Sequence, residues 1–307
     1  MDPTPRFGHK FPVFGMPIAQ ELLDAWEERR ISSAVAVMEL LLTIGDADRV
    51  THWLGAFADA SGQNRYEELL RIVERNRDGC ARAIRIAQRF DGHAGRGGTP
   101  EARVAATREL FDLAVGDSEE ASVALYSLGN AEVLHAATGE VVRTMQEWGV
   151  LDKTKRILQI GCGIGRFEVA LAPQVALAVG IDIAPKMIEA AQRRAAGLTN
   201  VRFALSSGFD LRPFEDGAFD LVYAVDSMPY IVDAGSELVE THFREAARVL
   251  GKNGEFVIFA FSYRPDTDAD RVDVERLARA HGFRVLSGGT SPFDLWNGRV
   301  FRMARAD

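Results

Sequence analysis

Three glycines within five residues, Gly161, Gly163 and Gly165, follow the apolar run Ile157–Ile160 and precede a helical pattern. A strand that turns directly into a helix presents backbone N–H groups at the carboxyl edge of a sheet. Glycine lets a ligand reach those groups because no Cβ stands in the way. Asp182 closes the next apolar run, twenty-one residues after Gly161. A carboxylate at that place can accept both hydroxyls of a ribose. The two features together call for a ligand that contains a nucleoside, and NAD, FAD and S-adenosylmethionine all qualify. Glycine spacing separates them. The dinucleotide fingerprint G-x-G-x-x-G places its third glycine one position later, where this chain has Arg166.

Such residues need a frame, and the second half of the chain supplies one. From Lys155 onward short apolar runs alternate with helical patterns. Strands are expected at 157–160, 176–182, 201–205, 219–225, 255–261, 283–287 and 299–305, and helices at 185–196, 236–250 and 271–281. Alternation of this kind gives an α/β fold with a doubly wound, mostly parallel sheet. The last two strands are joined by Gly288–Gly298, too short for a helical crossover, so they should pair antiparallel.

The first half reads differently. Residues 1–15 hold three prolines, three phenylalanines and His9 without helical period, as an extended arm would. From Pro17 to Phe90 apolar residues recur every three to four positions, the mark of amphipathic helices. Val35–Ile44 is apolar throughout and is read as a domain core or as a dimer face; Tyr66–Phe90 is expected as one long helix. Asp91–Pro100 carries four glycines in ten residues and breaks the chain. The expected organisation is therefore an arm and an all-helical domain over 1–95, a linker with capping helices over 96–150, and a sheet domain over 151–307.

Composition bounds the partners. With 307 residues, 47% hydrophobic and 26% charged, the chain can bury a substantial core. A formal charge of -8 offers no bulk attraction to phosphate backbones, which argues against nucleic acid. No apolar run reaches membrane-spanning length and no signal-peptide pattern opens the chain, so no membrane is expected and the setting is read as cytoplasmic. Cys80 and Cys162 are the two cysteines; they stand far apart, and neither a disulfide framework nor a metal-ligand spacing follows.

The glycine turn Gly161-Cys-Gly-Ile-Gly165 resembles the first motif of the class I S-adenosylmethionine-dependent methyltransferases. The resemblance continues through "GIDIAPKMIEAA", "LRPFEDGAFDLVYAVDSMPYI" and "EAARVLGKNGEFVIF", in order and at fitting distances. It implies a seven-stranded sheet with an antiparallel last strand. It implies S-adenosyl-L-methionine as cofactor, leaving as S-adenosyl-L-homocysteine, and methyl transfer as the activity. By the same resemblance Gly161, Cys162 and Gly163 approach the methionine part, Asp182 holds the ribose, Ile183 packs on adenine, and Ser207, Gly208 and Phe209 frame it, with Ser207 or Asp210 meeting the adenine amino group. Val225 and Asp226 should face the sulfonium and its methyl. One departure is Gln159, a neutral residue two positions before the first glycine, where the family usually carries an acid near the cofactor's ammonium.

Methyl transfer asks the protein to place and desolvate the acceptor, with a base where a proton must leave. Asp226 is the first candidate; Tyr230 just beyond it and His135 on the preceding helices are the next, followed by Tyr126. His242 is read as a helix-surface residue. The expected acceptor is an oxygen or nitrogen of a small molecule held between the sheet domain and the N-terminal helices. The alternatives are a peptide or protein acceptor, a noncatalytic S-adenosylmethionine-binding protein, and, with least support, an NAD(P)-dependent oxidoreductase.

Overall fold

The structure, a computed structural model, describes residues 15–93, 98–264 and 266–306. The N-terminal arm with His9, and the centre of the glycine-rich break, lie outside the described residues. Eight α-helices come first among those described: α1 Gly15–Glu27, α2 Ser33–Ile44, α3 Ala47–Gly55, α4 Glu67–Arg75, α5 Arg77–His93, α6 Pro100–Asp117, α7 Glu119–Val123 and α8 Ala131–Glu147. The alternating region then runs β1 Arg156–Ile160, α9 Arg166–Leu171, β2 Leu177–Asp182, α10 Pro185–Arg194, β3 Val201–Leu205, β4 Phe219–Val225, α11 Met228–Ala234, α12 Ser236–Val249, β5 Leu250–Phe259, α13 Thr267–Ala280, β6 Phe283–Thr290 and β7 Val300–Arg305.

The chain divides into two compact units. The helical unit takes the described residues of Met1–Arg96 with Leu113–Glu140 and Phe293–Asn297. The sheet unit takes Gly97–Asp112, Val141–Pro292 and Gly298–Asp307 so far as described. The divisions at Asp112/Leu113 and Glu140/Val141 fall within α6 and α8.

In the helical unit α2 is core. Val35, Ala36, Val37, Leu40 and Leu41 are all buried, packed with Leu23, Val50, Leu54, Tyr66, Leu69 and Val73. Ser32 caps α2 by accepting from Val35 N, and Asp46 caps α3 by accepting from Arg49 N. The long helix expected over 66–90 is two helices. Asn76 breaks it, because its side-chain amide donates to the Ile72 carbonyl at 2.7 Å in place of the helical backbone bond. Cys80 is fully buried, and burial pushes its thiol up to about 11, so it acts as a small apolar residue.

The sheet unit has seven strands in the order β3-β2-β1-β4-β5-β7-β6. The first five strands pair parallel, and β7 pairs antiparallel with both β5 and β6. β4 and β5 are buried on both faces, which explains their uninterrupted apolar runs. β5 starts at Leu250, five residues before the expected place, through an irregularity at Gly251–Gly254 that shifts its register against β4. α11 has no counterpart among the expected elements; it is a two-turn helix set directly on the end of β4. The motif Glu245–Leu250 has a structural role. Arg248 donates to Glu245, Asp216 and the carbonyls of Leu211 and Phe214, and so ties α12 to the segment entering β4.

Candidate active site

The order of strands reverses direction between β1 and β4, and in open α/β sheets ligands bind at the carboxyl ends of strands at such a point. Gly161, Gly163 and Gly165 follow β1 there with φ of 71°, 51° and 72°, a region glycine enters without steric cost. The first of them leaves no room for a side chain: a Cβ on Gly161 would lie 2.4 Å from the Cβ of Ser227. Ser227 itself follows β4 and donates to the Ile160 carbonyl at 2.6 Å, which ties the ends of β1 and β4 together. Gly165 serves packing: a Cβ there would lie 2.6 Å from Phe203 and 2.9 Å from Ala191.

Asp182 ends β2 and is 9% exposed. One carboxylate oxygen accepts from Gly163 N at 2.8 Å and the other from Ala184 N at 2.9 Å. Burial raises its pKa, against the lowering effect of the backbone donors.

Beside Asp182 lies a cleft of about 150 Å³ lined by Ile183, Ser206, Ser207 and Phe209 on one side and by Glu101, Val104, Ala105 and Arg108 of α6 on the other. Gly208, at φ 82°, lets the loop after β3 approach this cleft; a Cβ on it would meet Ile183 at 2.8 Å and Val104 at 3.0 Å. Ser207 lines the cleft, whereas Asp210 is engaged by Arg212 at 2.5 Å. α6 falls within the 96–150 segment where capping helices are expected; its helical period says nothing of which cleft it lines. Within the sheet unit α6 is anchored at Asp112, which accepts from Lys186 N at the start of α10, and at Arg103, which donates to the Asp233 carbonyl.

Asp226 sits at the end of β4 with φ 58°, an uncommon conformation for any residue but glycine, and its N–H donates to the Phe259 carbonyl at 2.8 Å. Its carboxylate accepts from the Tyr263 hydroxyl at 2.7 Å. Burial raises its pKa, and the Tyr263 hydroxyl and the Arg166 charge oppose that rise. Tyr230 on α11 stands between Phe111 of α6 at 5.1 Å and Tyr263 at 5.9 Å, meeting each ring nearly at right angles. Tyr263 carries no signal in the sequence, because it lies beyond β5 without a motif.

Several expected residues have other places. Cys162 is buried, with its Cβ and Sγ in the space a Gly180 side chain would fill, so its thiol faces the sheet. Its N–H is also taken, donating to the Ile181 carbonyl. His242, expected on the helix surface, is instead 2% exposed, and its ring Nδ1 pairs with the Leu238 carbonyl at 2.9 Å, because the buried face of α12 is wider than its apolar stripe. His135 and Tyr126 belong to the helical unit, His135 exposed and Tyr126 buried.

Gln159 is 1% exposed. Its Nε2 donates weakly to the Gly161 carbonyl at 3.5 Å, and its Oε1 has no partner among the described residues. It pairs in register with Tyr223 of β4, whose hydroxyl donates to Glu168 of α9 at 3.3 Å. Glu168 is fully buried, and burial pushes its carboxyl up to about 8.

Residues 158–258 match the family described as "Methyltransferase domain". Norajmaline N-methyltransferase of Rauvolfia serpentina is 30% identical over 134 residues, 41% of this chain and 44% of that protein. The 2-methyl-6-phytyl-1,4-hydroquinone methyltransferase of Synechocystis is 30% identical over 131 residues, 41% of this chain and 39% of that protein. The chain spans less than half the length of these curated relatives. Among solved structures, phosphoethanolamine N-methyltransferase 1 of Haemonchus contortus, in complex with phosphoethanolamine and S-adenosylhomocysteine, superposes with a TM-score of 0.55 at 18% identity. That match covers 68% of this chain and 50% of the other, and it shows a shared fold.

Proposed function

From a chain whose residues 158–258 form a methyltransferase domain of Rossmann-like fold, we propose S-adenosylmethionine-dependent methyl transfer to an oxygen or nitrogen of a small molecule. The observation that carries this reading is the pairing of Gly163 N–H with Asp182. It fixes a buried carboxylate beside bare glycine backbone, where the neighbouring strands β1 and β2 end. The residues fit the cofactor. Asp182 would hold the ribose hydroxyls, Ile183, Ser207, Gly208 and Phe209 with Val104 of α6 would enclose the adenine, and Gly161 and Gly163 would lie against the methionine part. No group in the glycine loop is set to cradle a pyrophosphate in the way a G-x-G-x-x-G turn does, since Arg166 opens α9 where that glycine would stand.

When bound, the cofactor supplies an electrophilic methyl group, and the protein's work is placement and proton removal. Asp226 is the group we assign to the acceptor side. The raised pKa of its carboxyl suits a base that must take a proton from a hydroxyl or an ammonium. Tyr230 and Tyr263 bound the same space. The relatives named above act on an alkaloid and on a hydroquinone, in keeping with a small-molecule acceptor here.

Asp182→Ala tests the assignment. Loss of a charged acceptor for two hydroxyls should weaken S-adenosylhomocysteine binding by roughly tenfold or more. Calorimetry on the full chain checks this, and an unchanged affinity would remove the basis of the reading.

A further inference from the structure

We propose that Arg108 of α6 lays its guanidinium against the open ring face of the cofactor's adenine. A residue outside the matched methyltransferase domain would then carry part of the affinity for the donor. The inference rests on the methyl-transfer reading and adds a binding residue to it.

The cleft beside Asp182 gives the first support. One of its walls belongs to the matched domain and the other to α6. The helix turns a single stripe toward the cleft: Glu101, Val104, Ala105 and Arg108, spaced as residues on one helical face are. Val104 sets how near the helix can come, since a Cβ on Gly208 would already meet it at 3.0 Å. Ala105 is short and leaves space beside it. A flat base resting on Ile183 therefore turns its second face toward Ala105 and Arg108.

The second support is that Arg108 is uncommitted. It is exposed at the cleft and forms no hydrogen bond or ion pair with any described residue. Helix spacing would offer it Asp112, four residues on. Asp112 is turned to another task. It accepts from Lys186 N at 2.9 Å and so caps α10, where Ala184 at the cap position provides no side-chain bond. Glu101, the other charge in the cleft, stands about two turns away at the start of α6, with the Thr99 hydroxyl bonded to its carboxylate.

The third support is that the backbone beneath Arg108 is held on both sides. Arg103 donates to the Asp233 carbonyl before it, and Asp112 holds Lys186 N after it. A planar guanidinium stacks on aromatic faces, and unpaired bases are bound on arginine planes in this way. Lysine at the same place would bring the charge without the plane.

The test titrates the full chain with S-adenosylhomocysteine and with 5′-methylthioadenosine, which carries the same nucleoside without the amino-acid part. Calorimetry reads the first directly and the second by competition. Arg108→Ala should weaken both ligands by the same factor, about fivefold to thirtyfold. Arg108→Lys should stay closer to the alanine variant than to wild type. Alanine suits an exposed helix position, so the thermal midpoint of the unliganded chain should stay within about 2 °C, which separates lost binding from lost folding. Unchanged affinity of Arg108→Ala for both ligands overturns the proposal. So does a loss confined to S-adenosylhomocysteine, because the guanidinium would then meet the amino-acid part and not the base. Full recovery by Arg108→Lys overturns it too, since charge alone would suffice. A wild-type chain that binds neither ligand strikes at the methyl-transfer reading itself, and the proposal falls with it.

Discussion

Replacing Glu168 with glutamine should make the protein more stable at neutral and alkaline pH. The carboxyl is fully buried on α9, accepts one hydrogen bond from Tyr223, and has its second oxygen without a partner. Burial raises it from an ordinary value of 4.5 to about 8. A carboxyl that holds its proton more tightly in the folded chain adds stability that is complete below pH 4.5. That stability is withdrawn as pH rises from there through about 8. A tenfold change in proton affinity is worth about 1.4 kcal/mol, so wild type should lose on the order of 3 kcal/mol relative to Glu168→Gln by pH 7. The difference should level off near 5 kcal/mol, an order-of-magnitude figure, above pH 8. Glutamine keeps an acceptor for the Tyr223 hydroxyl and has no charge to desolvate. Urea denaturation of both proteins at pH 5, 6, 7, 8 and 9 reads the difference directly. Curves that stay parallel across that range would refute the argument that Glu168 is folded as a neutral acid.

Other substitutions separate binding from packing. Gly161→Ala places a methyl 2.4 Å from the Ser227 Cβ at a positive φ, and S-adenosylhomocysteine affinity should fall by at least about tenfold, measured by calorimetry. Gly165→Ala drives a methyl into Phe203 and Ala191, so it should lower the thermal midpoint by several degrees, with a cost of about 1–3 kcal/mol. Arg248→Ala removes three anchors between α12 and the segment before β4; it should cost about 1–3 kcal/mol in denaturation while leaving S-adenosylhomocysteine affinity within about threefold.

Much of the sheet unit could be read from residue type. β3 and β4 fall on the expected residues because their apolar runs end at turn-forming loops, and the short Gly288–Gly298 connection does force the antiparallel pair. The glycine turn and Asp182 come together as their spacing demands, since one ends β1 and the other ends the neighbouring β2. What escaped the sequence depends on contacts between segments far apart. The packing of α6 beside Ile183 and Ser207 is set by tertiary fit, and nothing in the pattern 101–115 marks it. Asn76 looks like any helix residue until its side chain takes the Ile72 carbonyl. Gln159 stands out in the sequence as a neutral residue before the glycine turn, whereas Glu168 does not stand out at all. That residue shows its burial only once α9 lies on the Gln159–Tyr223 face of the sheet.

Calorimetric titration of the unmodified full chain with S-adenosylhomocysteine and, separately, with NADH bears most directly on the assignment of the glycine turn and Asp182. Saturable 1:1 binding of S-adenosylhomocysteine, with no heat from NADH, is the predicted result. Binding of NADH without S-adenosylhomocysteine would contradict it and return the site to a dinucleotide.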